Sequence, residues 1–270
     1  NFNFNFGISH GLFAKSAIYK TPPMLHEKFV YLNYSKNQND FGIGFVHEAM
    51  WGGSTDEDGK FSTSYKDFLK IFISADGPLL DGQPHANALG NHLGIWDFYY
   101  KKTVNNKELK FYYQHFFEDT SGLRFDNKSD GLWGIELSNY TKNTNILLEY
   151  LNTMNQDRNP PYVNENYYNH FEYQEGWSYK GYSLGNPFIN HTNNNPSKVL
   201  HLGVNRNGIN KYSYRLLASR RINLSDHIKY QISIGKMINE LLIGVVFTGE
   251  KNMNNNVTLK ISYSPIMKAR

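Results

Sequence analysis

Long stretches of two-residue alternation constrain this chain more than any other feature. Phe2, Phe4, Phe6 and Ile8 alternate with Asn3, Asn5 and Gly7, and Phe41, Ile43 and Phe45 with Gly42 and Gly44. Leu109, Phe111, Tyr113, His115 and Phe117 oppose Lys110, Tyr112, Gln114 and Phe116, and Trp133, Ile135 and Leu137 oppose Gly134, Glu136 and Ser138. The same period returns over 212–219, 228–235 and 257–263. Successive side chains of a strand leave on opposite faces, so each segment has one apolar and one polar side. The segments run to about 9–11 residues, the length a tilted strand needs to cross a bilayer. Strands of soluble proteins are nearer ~5–6 residues. At roughly 20 residues per strand and connection, 270 residues hold about 12–14 strands. The expected fold class is all-β: an antiparallel transmembrane β-barrel, or the later portion of one, in a single domain over residues 1–270.

Composition removes the alternatives. With 40% apolar residues and 16% aromatic, the chain is too apolar for disorder. Its longest apolar run, Leu241 to Phe247, falls far short of the roughly 20 residues of a membrane helix. A mean hydropathy of −0.59 does not separate a soluble protein from a barrel, because alternating lipid-facing and lumen-facing residues average out. Without cysteine there is neither a disulfide framework nor a thiolate metal site. A net charge of +4 with no Lys/Arg cluster gives no footprint for nucleic acid. The opening Asn1 to Phe6 already alternates and carries no leader signature, so a leader has been removed or the chain is part of a longer one.

Tyr99, Tyr100, Tyr112, Tyr113, Trp133 and Tyr263 stand near strand ends, where interfacial girdles of a barrel place them. Asn105-Asn106 and Asn207-Gly208 read as tight hairpin turns. The stretches 52–60, 75–90 and 156–196 are long and irregular, and the last exceeds a passive connector. Residues 64–72 carry helical spacing (Tyr65, Phe68, Leu69, Phe72) and predict one short helix in a loop or against the barrel. Inward polar residues such as Lys110, Gln114, Glu136, Glu149, Arg215, Lys229 and Lys260 are expected to line the lumen.

Searches for reactive constellations return little. There is no Gly-x-Ser-x-Gly and no phosphate loop. His47-Glu48 begins like a zinc-protease helix, but Trp51 stands where the second His belongs. Asp56-Glu57-Asp58-Gly59 begins like a calcium loop and lacks the remaining acids, so a solvated tip is the simpler reading. No metal or cofactor is expected. Glu118, Asp119 and Arg124 close a strand and, with Trp133, read either as a sugar site or as an Arg–carboxylate pair that pins the turn. Tyr167, Tyr168, Trp177 and Tyr179 are candidates for ring stacking in the long loop, the alternative being self-packing of that loop.

Several blocks in order resemble a known family. They include Asn87-Ala88-Leu89-Gly90-Asn91-His92-Leu93-Gly94-Ile95-Trp96-Asp97-Phe98 and Tyr112-Tyr113-Gln114-His115-Phe116-Phe117-Glu118-Asp119. Ser121-Gly122-Leu123-Arg124-Phe125, Asp130-Gly131-Leu132-Trp133-Gly134 and Leu148-Glu149-Tyr150-Leu151-Asn152-Thr153 follow. Asn166-Tyr167-Tyr168-Asn169, Gly176-Trp177-Ser178-Tyr179-Lys180-Gly181 and Gly185-Asn186-Pro187 complete the set. Together these resemble the later part of the capsule assembly Wzi family of Gram-negative outer-membrane β-barrels. The resemblance implies a non-enzymatic, lectin-like outer-membrane protein that binds capsular or other surface polysaccharide, surrounded by outer-membrane lipid. It also implies that the family's first several strands are absent here or supplied by upstream sequence. A second reading is a structural accessory subunit docked among other outer-membrane proteins, since Tyr- and Trp-rich loops suit protein interfaces as well. A lipid-modifying enzyme would need a positioned base and nucleophile, for which His115 is the nearest residue.

Overall fold

A computed structural model describes residues 1–79, 86–141, 143–156, 167–192, 195–206, 212–223, 227–238, 241–251 and 255–263. Twelve long strands form one antiparallel sheet in chain order. They are β1 (Phe2–Leu12), β2 (Met24–Lys36), β3 (Asn39–Trp51), β4 (Asn91–Val104), β5 (Lys107–Phe117) and β6 (Gly131–Thr141). The series continues with β7 (Thr144–Asn152), β8 (Lys198–Arg206), β9 (Tyr212–Arg221), β10 (His227–Ile238), β11 (Leu241–Glu250) and β12 (Asn256–Tyr263). Each pairs with its chain neighbours, and β1 and β12 form the two edges, so among the described residues the sheet is not closed. No described helix is long and apolar enough to cross a membrane, which says nothing against crossing by strands.

Register joins the alternating segments into two continuous faces. Across β1 to β4 the row Phe4, Leu32, Ile43 and Phe98 is aligned strand to strand. Further along, Phe111, Ile135, Leu148, Leu202 and Ala218 extend the same side, and Ile232, Phe247 and Val257 carry it to the far edge. This outward face stays apolar in spite of its exposure: Leu148 is 47% exposed and Leu259 65%. Water would not favour so broad an apolar wall, whereas lipid does. The acidic residues of the twelve strands, among them Glu27, Asp97, Glu136 and Glu149, all fall on the inward face.

Some inward charges are paired with one another. Lys101 bridges Asp40 at 3.1 Å and Glu108 at 3.3 Å, and Lys229 reaches Glu250 at 3.5 Å. Lys110 stands opposite Glu136 in the register, and the Tyr112 hydroxyl donates to Glu149. Every lumen residue expected from the alternation lies on this face. Inward glycines make room for the large rings: a Cβ on Gly42 or Gly134 would stand 2.0 Å from the ring of Tyr99 or Tyr112 on the adjacent strand.

The two ends of the sheet differ. At one end Asn37-Gln38 and Asn105-Asn106 turn with positive φ at both positions (48° and 65°, 50° and 62°), as two-residue hairpins demand. The expected Asn207-Gly208 turn lies outside the described residues. At the other end the first four connections, 13–23, 52–90, 118–130 and 153–197, are long and the last two, 222–226 and 251–255, are short, so the long-loop, short-turn asymmetry of outer-membrane barrels holds over β1 to β8.

The expected helix is α1 (Tyr65–Ile73), capped by Ser64, whose Oγ accepts from the Asp67 backbone N–H at 3.2 Å. It packs on the outward face at the long-loop rim. Ile71 is buried with Ala49 and Trp51, and Phe68 lies among His10, His26 and Trp51. Tyr65, Leu69 and Ile73, at helical spacing, face away from the sheet. A second helical turn, Thr120–Leu123, follows β5 and was not apparent in the sequence.

Candidate functional site at the long-loop end

At the long-loop end the inward face turns apolar. Leu25, Met50, Leu93, Ile95, Phe116, Leu132, Leu151 and Val199 project there, and the described residues 167–192 fold over them as a lid. Tyr167 and Trp177 are 0% and 1% exposed, packed with Phe13, Tyr19, Tyr173 and Ile189. The Trp177 ring meets Phe13 at 6.1 Å edge-on, and Tyr167 meets Phe116 at 5.6 Å. Gly176 is obligatory at the tightest point: its φ is +54°, and a Cβ there would sit 2.0 Å from the Tyr168 carbonyl oxygen.

Asp130, fully buried where the 118–130 loop enters β6, ties the lid to the sheet. Its Oδ1 accepts from the side-chain amides of Asn152 (3.0 Å) and Asn155 (2.6 Å). Its Oδ2 accepts from the Asn155 backbone N–H (2.7 Å) and the Tyr167 hydroxyl (2.9 Å). Asn127 donates onward to the Tyr167 oxygen at 2.7 Å. Burial raises the Asp130 carboxyl above the ordinary carboxylate range, against the donors that pull it down. A second tie closes the neck, where Thr153 N–H donates to the Ser197 carbonyl at 2.9 Å and Ser197 N–H to Thr153 Oγ1 at 2.8 Å.

The seven residues proposed from the sequence do not form one cluster. Tyr167, Tyr168 and Trp177 pack inside the lid, so their rings are committed to self-packing of the loop and offer little surface for stacking. Trp133 lies on the outward face, stacked on Tyr113 at 3.8 Å, in the position of a girdle residue. Arg124 pairs with Asp126 at 3.7 Å in solvent, instead of the expected Glu118 or Asp119. Asp119 accepts the Gly122 N–H at 2.9 Å, and Glu118 accepts from Gln156 at 2.7 Å. Asp126 prevails because it sits two residues from Arg124 on the same tip.

Tyr179 alone of the seven offers an exposed ring on the lid. It belongs to a small hairpin, Ser178–Tyr179 against Tyr182–Ser183, closed by Lys180 and Gly181 with φ of 50° and 80°. Tyr179 and Tyr182 are register partners, 43% and 79% exposed, and the Lys180 ammonium lies 5.4 Å from the Tyr179 ring centre. Sequence reasoning overlooked Tyr182, although an X-Gly turn between two tyrosines is a visible hairpin signal. Buried neighbours below and a two-residue turn above hold these rings with little freedom left to lose on binding.

Two arrangements imitate catalytic ones. Ser74 Oγ lies 2.7 Å from His47 Nε2, which lies 2.9 Å from His92 Nδ1. His92 Nε2 faces the Leu89 carbonyl at 2.8 Å and must donate to it, so His92 Nδ1 accepts and His47 Nε2 carries the proton. His47 therefore cannot take a proton from Ser74, and the trio serves to fasten the end of α1. His115 is fully buried, its Nε2 facing the Gly122 carbonyl at 2.9 Å and its Nδ1 the Tyr113 hydroxyl at 2.9 Å. In the acidic tip, Asp58 accepts from Thr55 at 3.1 Å and Asp56 pairs with Lys20. Among the described residues no group of three or more His, Asp or Glu is disposed to hold a metal.

An antiparallel wall with a lipid-compatible outside, a charged inside, short turns at one end and folded long loops at the other defines an outer-membrane β-barrel protein. The chain belongs to the capsule assembly protein Wzi family, whose model matches residues 2–263. Among solved structures it resembles Wzi of Escherichia coli, described as an outer membrane protein involved in group 1 capsule assembly and as a carbohydrate-binding β-barrel. The two are 18% identical with a TM-score of 0.56, over 96% of this chain and 54% of that one. The chain thus spans about half the length of that neighbour. No curated protein matches the sequence.

Proposed function

We propose that this chain is a non-enzymatic outer-membrane protein that binds capsular polysaccharide at the cell surface through its lid. The observation that carries the reading is the hairpin, which holds Tyr179 and Tyr182 exposed side by side with Lys180 between them. Aromatic faces suit sugar rings, and the flanking ammonium suits hydroxyls or carboxylates. Contacts of this kind are weak singly and become strong on a repeating polymer. Family membership and the carbohydrate-binding neighbour support the same ligand class. The proton arrangement at Ser74 and the enclosed His115 support a role without catalysis.

The test is retention on immobilised capsular polysaccharide after folding in detergent. Replacing Tyr179 and Tyr182 together by alanine is expected to weaken retention about tenfold or more, because central aromatic anchors cost about 1–2 kcal/mol or more each on truncation. Full retention by that variant would move the site off the hairpin. Failure of the unaltered protein to bind any capsular glycan would remove the role itself.

A second reading takes up β1, which has a partner strand on one side only among the described residues and whose Phe2, Phe4 and Phe6 are 75%, 60% and 69% exposed. Such an edge calls for a covering strand. As a structural subunit the chain would co-purify in mild detergent with a stoichiometric outer-membrane partner.

A further inference from the structure

The strand charges are sorted by sign as well as by face. Acidic side chains occur only inward, whereas cations occur on both faces, and the outward ones gather at strand ends. Among the described residues the outward cations at the short-turn rim are Lys36, Lys102, Lys107, Arg206 and Lys236, each within three residues of its strand end. All five are exposed, and none is ion-paired with a described residue. Lys107 and Lys236 lie 5.8 Å and 5.3 Å from the rings of Tyr140 and Tyr212, a placement that steers the ammonium while leaving N–H groups for another acceptor. Tyr100 and Tyr214 stand on the same face one step nearer the middle.

This pattern is not required by the lumen, where Lys101 and Lys229 already have carboxylate partners. Lys28, on the outward face at the opposite rim, is engaged by the protein: it donates to the Phe72 carbonyl and lies 4.5 Å over that ring. Among the described residues the short-turn rim thus presents positive charge without an ion-pair partner, continuous with the apolar wall and bordered by tyrosines. Long basic side chains in that position lay their stems on the apolar surface and raise their charged heads into the headgroup layer.

We infer that this rim is a binding belt for anionic phospholipid headgroups in the leaflet facing the short turns, with Lys36, Lys102, Lys107, Arg206 and Lys236 as its phosphate ligands. The inference rests on the outer-membrane reading, and its test separates the two. Spin-labelled phosphatidylglycerol and phosphatidylcholine are compared as boundary lipids around the full chain in phosphatidylcholine bilayers. A cation near an anionic surface contributes about a fivefold preference. Spread over the perimeter, this gives phosphatidylglycerol an expected advantage of about twofold or more at the protein boundary. The advantage should disappear at about 1 M salt, where the screening length falls to about 3 Å. It should also fall to parity in K36Q/K102Q/K107Q/R206Q/K236Q, while Lys110→Gln, altered on the inward face, keeps it. Should the fivefold variant fail to fold, Lys102→Gln/Lys107→Gln on a single hairpin and the salt arm still decide the matter. Immobilised boundary lipid without selectivity, or selectivity that survives the substitutions, overturns the belt and leaves the membrane reading standing. Absence of any boundary lipid overturns both.

Discussion

Replacing Asp130 by alanine is expected to unfasten the lid while leaving the strand wall in place. The carboxylate receives four hydrogen bonds, from Asn152, Asn155 (twice) and Tyr167, and all four donors are buried. An unpaired buried donor costs about 1–3 kcal/mol, so the loss of all four amounts to roughly 4 kcal/mol or more, even with some relaxation. That corresponds to on the order of a thousandfold rise in the open population of the lid. Proteolysis of the detergent-folded protein reads this directly, since cleavage of a transiently opened segment follows its open population. Rapid cutting within 153–197 with an unchanged strand-rich circular dichroism spectrum is the expected pair of results. Asp130→Asn should also be damaging, because an amide NH2 replaces one acceptor that Asn152, Asn155 and Tyr167 now donate to. Cleavage of Asp130→Ala at the unaltered rate would show that the lid is held elsewhere.

The second large effect concerns neighbouring leucines on β7. Leu148 points outward near mid-strand and is 47% exposed, while Leu147 points inward opposite Glu136. In water, arginine at an exposed site such as 148 changes stability by about 0.5 kcal/mol or less. In a bilayer the same charge near the midplane costs about 2–4 kcal/mol. Leu148→Arg should therefore strongly destabilise protein folded into vesicles, as measured by urea unfolding. Leu147→Arg should be the milder change, because its guanidinium enters a polar lumen beside a carboxylate. Equal effects, or a tolerated Leu148→Arg, would mean that the apolar face is not covered by lipid.

The wall was legible in the sequence because one face meets lipid and the other meets charge, and a two-residue period records that contrast. Legibility fails where the contrast does. Phe41 to Phe45 alternate cleanly, but Met50, Leu93 and Ile95 point inward and are apolar because the lid packs on them, so the end of β3 and the start of β4 lose the period. α1 was visible through its 3.6-residue spacing, although its seat on the outward face was not, since that depends on His26, His47 and Trp51 from strands distant in sequence.

The site was less legible for a different reason. Tyr167, Tyr168 and Trp177 are the residues a sequence reader selects for stacking, and they are the ones a long loop uses to fold on itself. Composition does not distinguish a displayed ring from a packed one. Tyr182 was readable only through the Lys180-Gly181 turn that places it beside Tyr179. The Asp130 hub draws its donors from 22 to 37 residues away, a separation that no local motif reveals.

Bromine on lipid acyl chains quenches a nearby indole on contact and so tests the central claim most directly. Trp96 lies on the outward face, in register with Phe45 and His115, whereas Trp177 is enclosed in the lid. Two single-tryptophan forms, each with the other three replaced by phenylalanine, would be folded into brominated and ordinary vesicles. Strong quenching of Trp96 beside an unaffected Trp177 is the predicted result. Equal emission of Trp96 in both kinds of vesicle would contradict a wall immersed in hydrocarbon.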